Sequence, residues 1–414
     1  MTYPEAIQYL YTLQMFGAKF GLDTTFQLAA LIGNPQHSLR FIHVAGTNGK
    51  GSTCAMLESI YRAAGLRTGL FTSPHLVSFR ERIQVDRQLI PENDIVRLVD
   101  ELRAAKGDLE STLFEFAAVV ALKYFAEQKC DLVIWETGLG GRLDATNIVT
   151  PLASVITNIA FDHQQYLGDT LAKIAAEKAG IIKPSIPVVT ATDDPSAFAV
   201  IEATARENNS PLTRVNQPLP AHSGLLGEHQ KLNAALALAT VQVLQPQIPV
   251  TDAQVRTGLA SVQWPGRLQL LRRGNQRILL DGAHNLAGAE TLRAALQSDF
   301  AGAPPVLIFG ALADKQWTEI CNVLAPLAKS IFTVPVASPR TADPASLATT
   351  FRNANPRVTA SPLSGLVEAL QANCNEPFIL ITGSLYLVGE ALELLGALPS
   401  DAAGRSLNEW AKVK

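Results

Sequence analysis

Short, uninterrupted apolar runs alternate with stretches of helical period along most of this chain. FIHVAG (41–46) is the first such run. From Ser52 to Ala64 the residues Met56, Leu57, Ile60, Tyr61 and Ala64 recur at helical spacing. TGLFTS (68–73) is apolar again and completes a strand–helix–strand unit. DLVIWETG (131–138), ASVITNIA (153–160) and IPVVTA (186–191) follow as strands separated by helical stretches. A second series begins after WPGRL (264–268): RILLD (277–281), PVLIFG (305–310), SIFTVPV (330–336) and FILITGS (378–384). Strands covered by helices on both faces lose the in–out alternation and read as continuous apolar runs. The pattern therefore predicts an α/β fold built on mostly parallel sheets.

Two series imply two cores, as does a length of 414 residues. Punctuation is strongest at QPQIPVTD (245–252) and Trp264-Pro265-Gly266, which places a boundary near Arg267–Leu271. The expected domains are 1–268 and a smaller, Rossmann-like 269–414. The polar, Pro/Gly-rich stretch from Thr213 to Gly227 reads as loop. No internal repeat or low-complexity tract interrupts the rhythm.

In open parallel sheets, ligands bind beyond the carboxyl ends of the strands, where loops and helix starts converge. Six polar clusters fall at such ends here: GTNGKGS, TSPH, ETGLGGRLDATN, FDHQQ, DGAHN and GSLY. A solvated turn explains any one of them. Their shared placement points to a common cleft.

Charge and cysteine usage narrow the partners. A formal net charge of −3 gives no footprint for nucleic acid or an anionic membrane surface, so an anionic ligand needs a local site. Cys54, Cys130, Cys321 and Cys374 lie far apart without C-x-x-C or Cys/His metal spacing, which fits thiols in a reducing compartment. The N-terminus lacks the basic and apolar regions of a secretory signal, and no apolar run is long enough to span a bilayer. The expectation is a cytoplasmic monomer acting on small molecules, with no nucleic-acid or membrane partner.

HVAGTNGKGST (43–53) carries the sharpest signal. It departs from the strict G-x-x-x-x-G-K-S/T pattern: Gly46 lies three residues before Gly49, and Lys50 is followed by Gly51 before the hydroxyls. A strand leads in and a helix leads out. Backbone N–H groups through Gly46, Thr47, Asn48, Gly49, Lys50, Gly51 and Ser52 would then form an anion-binding concavity, giving the first domain a P-loop-type core. Lys50 supplies a point charge for terminal phosphates, and Ser52 offers a hydroxyl to Mg²⁺.

Ser73, Glu136 and His163 stand at three further strand ends and have the donor chemistry to share in holding Mg²⁺. A turn hydroxyl before Pro74 and a capping or core histidine are equally good local readings of Ser73 and His163. Leu171, Ile174, Ala175 and Lys178 share one helix face, so Lys178 is a cation on an apolar stripe. Desolvation lowers an amine's pKa, and a neutral amine can take up CO₂ as a carbamate. The alternative is a lysine snorkelling at a helix C-terminus before Gly180. Thr112 is either a ligand contact or the N-cap of a helix starting near Leu113.

Taken with FTSPHL, FRERI, ETGLGGRLDATN, DHQQYLG, EKAGIIK, DGAHN and GSLYL, this loop resembles the Mur ligase family. The likeness is closest to its folylpolyglutamate synthase and dihydrofolate synthase branch and runs from about Gly21 to Leu387. It implies a Mur ligase-like α/β fold and an ATP-dependent, ADP-forming ligase. Such an enzyme adds L-glutamate to a reduced folate, and also to dihydropteroate, through an acyl phosphate. It further implies two Mg²⁺ ions held through Ser52, Ser73, Glu136 and His163, with Mn²⁺ a workable substitute. Lys178 is then carbamylated, and His163 and Lys50 share in catalysis. Asn233, Arg267 and Asp281 meet the nucleotide, with Arg267 able to clamp phosphate as the domains close. Thr112 and Arg82 meet the pterin-bearing substrate, and His284 and Ser384 the incoming glutamate. Two departures stand out: the segment between Arg206 and Gln230 is short, and YLYTLQMFGAKFGLDTT (9–25) lacks the pterin-binding stretch of bifunctional relatives.

A cell-wall Mur ligase is the first alternative, but only about forty residues precede the loop, too few for its usual UDP-sugar domain. A regulatory or motor-type NTPase leaves Glu136, His163 and Lys178 unexplained. A catalytically dead scaffold would not retain every expected polar position.

Overall fold

The computed structural model describes residues 1–14, 21–220 and 223–401. Part of the 9–25 stretch, Met15–Phe20, lies outside the described residues, as does the end of the second expected domain. The chain divides into two compact units. Among the described residues, one comprises Met1–Gly224 and Gln230–Gln263; the other comprises Leu225–His229 and 264–401. The return of Leu225–His229 to the second unit has no signature in the sequence.

The first unit is built on β1 (Phe41–Ala45), β2 (Thr68–Phe71), β3 (Ile83–Val85), β4 (Gln88–Leu89), β5 (Leu132–Glu136), β6 (Ala153–Ile156), β7 (Val188–Thr190) and β8 (Leu212–Arg214). They form one sheet in the order β4-β3-β2-β5-β1-β6-β7-β8, parallel from β2 through β8. Every residue of β1, β2, β5 and β6 is buried, as their unbroken apolar runs require. Trp135 packs against Phe71 with ring centroids 4.4 Å apart and the planes tilted by 31°, and donates its indole N–H to the Thr146 carbonyl at 2.9 Å. That bond removes the cost of burying the indole nitrogen.

Because β5 and β6 flank β1, the chain passes from one side of β1 to the other between them. Such a crossing point leaves a crevice beyond the strand ends. The register pairs Val44 with Glu136 and Ala45 with Ile156, so the segments leaving β5, β1 and β6 emerge side by side.

The second unit pairs β9 (Gln269–Arg273), β10 (Gln276–Leu280), β11 (Val306–Phe309), β12 (Ser330–Thr333), β13 (Thr359–Pro362) and β14 (Phe378–Thr382) in the order β13-β12-β11-β14-β10-β9. All neighbours are parallel except β9 and β10. Leu279, Leu307, Phe309, Ile331 and Leu380 form its buried centre.

The apolar runs locate the central strands, but the observed strands end one to four residues before the runs do, because the polar cluster at each end already belongs to a turn. The edges depart from the sequence reading. Thr213 and Arg214 were expected in a loop and instead complete β8, which pairs with β7 although Arg214 is exposed. β3, β4, β9 and β13 were not anticipated either. β4, β9 and β13 are partly exposed sheet-edge elements, where apolar continuity is no longer demanded, whereas β3 is buried between β2 and β4 but only three residues long.

Candidate active site

Gly46 follows β1 with φ 148°, and a Cβ there would lie 1.8 Å from the Thr157 hydroxyl oxygen, so only glycine fits. The loop is laced to the segment after β6. Thr47 N donates to the Asn158 carbonyl at 2.8 Å, Asn48 N to Asn158 Oδ1 at 2.8 Å, and the Thr157 hydroxyl to the Asn48 carbonyl at 2.7 Å. This corrects the expected cradle: the amides of Thr47 and Asn48 are engaged by the protein itself. The N–H groups of Lys50, Gly51 and Ser52 open helix Lys50–Ala63 and have no partner within the helix, the arrangement that suits an anion. Gly49, at φ 85°, makes the left-handed turn into that helix.

Two lysines converge on one backbone oxygen. Lys50 Nζ donates to the carbonyls of Gly46 (3.1 Å) and Thr47 (3.2 Å), and Lys178 Nζ donates to the same Gly46 carbonyl at 2.7 Å. Lys178 is only 4% exposed, on the buried face of helix Leu171–Ala179 with Ile174 and Ala175, so it does not snorkel to solvent. Burial pulls its pKa well below the usual lysine range, to about 7. Lys50 adds to the depression, while Asp162 and Asp144 oppose it. A substantial neutral fraction at physiological pH follows.

Glu136, the last residue of β5, is 3% exposed and accepts the Ser73 backbone N–H at 3.0 Å. That bond joins the β2 and β5 ends. After β6, His163 adopts φ 49° and starts the short helix Gln164–Leu167. Its Nε2 lies 3.9 Å from Asp162 Oδ1. On the other side of the loop, the Asn233 carboxamide packs against Gly49, where a Cβ would sit 2.7 Å from Oδ1.

By donor chemistry, the oxygens of Ser52, Ser73 and Glu136 and the imidazole of His163 are ligands that Mg²⁺ or Mn²⁺ accepts. Among the described residues no three His, Cys, Asp or Glu side chains form a metal cluster. A Mg²⁺ ion that keeps waters and phosphate oxygens needs no such protein cage. The residues present therefore fit the ion.

Asp144, hidden within ETGLGGRLDATN, was not singled out from the sequence. It is buried and accepts the N–H groups of Gly138 (3.0 Å), Leu139 (2.7 Å) and Thr146 (3.0 Å), and the Thr146 hydroxyl at 2.5 Å. Burial raises its pKa against those four bonds. Its effect is to fold the loop that leaves Glu136.

Arg82 and Thr112 also lie in the first unit. Arg82 is buried, donates from Nε to His75 Nδ1 at 2.9 Å, and lies over the Phe79 ring. Thr112 caps helix Leu113–Glu127 reciprocally with Glu115, so the capping role left open in the sequence is the one its hydroxyl fills.

In the second unit, Asp281 is buried, with its pKa raised, and accepts the N–H groups of Leu268 and Ala283 at 2.9 Å each. Arg267 lies against Gly282, whose missing side chain makes room for the guanidinium. His284 Nδ1 donates to the Gly282 carbonyl at 2.7 Å, and Ser384 caps helix Leu385–Leu394. β10 and β14 are neighbours, so DGAHN and GSLY emerge side by side.

A crossing-point crevice, a glycine loop feeding a helix and two converging lysines define a nucleotide-using α/β enzyme. The Mur ligase middle domain matches residues 44–241, and the Mur ligase glutamate ligase domain matches residues 266–385. The chain is 35% identical to the dihydrofolate synthase/folylpolyglutamate synthase of Bacillus subtilis, over 94% of this chain and 98% of that protein. The structure of Escherichia coli FolC in complex with DHPP and ADP is similar at a TM-score of 0.87 and 30% identity, covering 96% of this chain and 98% of that one. The crystal structure of Thermotoga maritima folylpolyglutamate synthase gives a TM-score of 0.85 at 32% identity, covering 97% and 99%. The chain belongs to the Mur ligase family, in its folylpolyglutamate synthase and dihydrofolate synthase branch.

Proposed function

We infer that the chain joins L-glutamate to the carboxylate of a reduced folate, and also of dihydropteroate, with conversion of ATP to ADP. The observation that carries this reading is the convergence of Lys50 and Lys178 on the Gly46 carbonyl, beside the adjoining ends of β5, β1 and β6. A carboxylate is a poor acyl donor because its oxygen leaves badly, so it is first converted to an acyl phosphate that the glutamate amine can attack. When bound, Mg²⁺ neutralises charge on the phosphates and on the attacking carboxylate. Ser52, Ser73, Glu136 and His163 would hold two such ions.

The protein positions the rest. Lys50 and the amides opening helix Lys50–Ala63 face the terminal phosphates, and Asn233, Arg267 and Asp281 contact the nucleotide. Neutral Lys178 forms an Nζ–C bond to CO₂ and releases a proton, which leaves an anionic carbamate oxygen among the cations. Its burial and depressed pKa support this step. Arg82 and Thr112 border the pterin-bearing substrate, while His284 and Ser384 receive glutamate. Four free thiols support a reducing, cytoplasmic setting, and the reading treats the chain as a monomer. No helix among the described residues is long and apolar enough to cross a membrane.

ADP release measured with glutamate plus dihydropteroate, with glutamate plus reduced folate, and with neither tests the reading. Dependence on both an acceptor and glutamate is expected. Hydrolysis indifferent to both would make the chain an NTPase.

A further inference from the structure

Gln230 belongs to none of the roles above, yet two positions assigned to the nucleotide and its metal, Ser52 and Asn233, are bonded to its side chain. It is 1% exposed, in the first turns of helix Glu228–Leu244. Its Oε1 accepts from Asn233 Nδ2 at 2.9 Å, and its Nε2 donates to Ser52 Oγ at 3.3 Å. Gln230 and Asn233 are three residues apart on one helix face, which is what lets the two amides meet. The Asn233 bond fixes which way round the carboxamide sits: rotating it alone would set its N–H against the Asn233 N–H and lose that bond, so the N–H end faces Ser52. Asn233 is thereby held against Gly49.

The consequence for Ser52 is directional. A hydroxyl oxygen has two lone pairs and one proton. Accepting the Gln230 N–H occupies one lone pair and leaves the other for a cation, with the proton turned to a third direction. We propose that Gln230 is a positioning residue that presets the Ser52 hydroxyl for the metal–nucleotide complex and aligns Asn233 with the loop. The inference rests on the assignment of Ser52 and Asn233 to ATP and its metal. A merely packed, self-satisfied glutamine would contribute to folding and have no effect specific to the metal.

Calorimetric titration of ADP, once with Mg²⁺ and once with EDTA, separates these roles. The informative quantity is the ratio of the two Kd values, compared for the unsubstituted protein, Gln230→Met, Ser52→Ala and the double variant. Methionine matches the buried volume and chain length without the two bonds. The ratio is expected to fall about tenfold in Gln230→Met, the size of one charge-assisted contact. It should fall to the level of Ser52→Ala, and the double variant should fall no further. An unchanged ratio in a Gln230→Met protein with a cooperative thermal transition overturns the proposal, as do losses that multiply in the double variant. If Gln230→Met does not fold, Gln230→Asn, which keeps the amide but cannot reach both partners, is held to the same outcomes. A ratio of one in the unsubstituted protein would instead remove the metal assignment of Ser52, and the proposal with it.

Discussion

Both units place polar clusters at the carboxyl ends of parallel strands, yet the two sets of residues are bonded differently. In the first, Lys50 and Lys178 crowd one carbonyl, with a buried carboxylate ending the adjoining strand. In the second, His284 and Ser384 are bonded to the backbone of their own turns, while the buried Asp281 accepts the N–H of Ala283 in its turn and that of the more distant Leu268. The same rule of placement thus produces concentrated charge in one sheet and well-built turns in the other. A polar residue at a strand end becomes a strong catalytic candidate when its surroundings cost energy that the turn alone does not explain.

That contrast can be broken most directly at the lysines. Lys50→Ala should lower kcat/KM on the order of 10³-fold with the fold intact, since in the proposed reaction it removes a cation that offsets charge on the transferring phosphoryl group. A loss under about tenfold would reduce the lysine to a loop-stabilising role. Lys178→Ala should cost about 10²-fold, and added formate or acetate should restore part of this variant's activity but none of that lost in Lys50→Ala. Absence of any recovery would count against the carbamate.

A pH series sharpens the same point. Between about 7 and its ordinary value near 10.5, Lys178 is neutral in the folded protein and protonated in the unfolded chain. The unfolded state then binds more protons, so stability rises with pH across that window, and the slope vanishes below it. In CO₂-free buffer, denaturant unfolding should show the protein gaining on Lys178→Met from pH 7 to pH 10. Parallel curves would mean that the amine titrates normally.

Asp144→Ala should cost about 2–3 kcal/mol in unfolding free energy, because buried loop amides lose their acceptor. In the second unit, Ser384→Ala should cost only about 1 kcal/mol, the value of one helix cap. ADP affinity measured by calorimetry should not move. A large loss of ADP binding there would erase the distinction between the two sheets.

The central strands were legible because burial on both faces demands continuous apolar runs. Lys178 was legible because a cation on an apolar helix face conflicts with its neighbours. The edge strands were harder. Asp86 and Arg87 turn β3 into β4 with φ values of 50° and 66°, without the Asn-Gly or Asp-Gly that normally announces such a hairpin. β9 and β10, by contrast, are joined through Gly274-Asn275, a two-residue signal present in the sequence and overlooked. Asn158, Gln230 and Asp144 were missed for another reason. Each acts on backbone or side chains that only the folded sheet brings near: Asn158 is 110 residues from the amide that its side chain receives.

The shared Gly46 carbonyl has one more implication. Both lysines donate to that one oxygen, so any movement of Lys50 alters what Lys178 meets. The charge on Lys50 helps to keep Lys178 neutral, and a Lys50 drawn away would ease that repulsion. The two side chains are thus coupled through a single backbone atom.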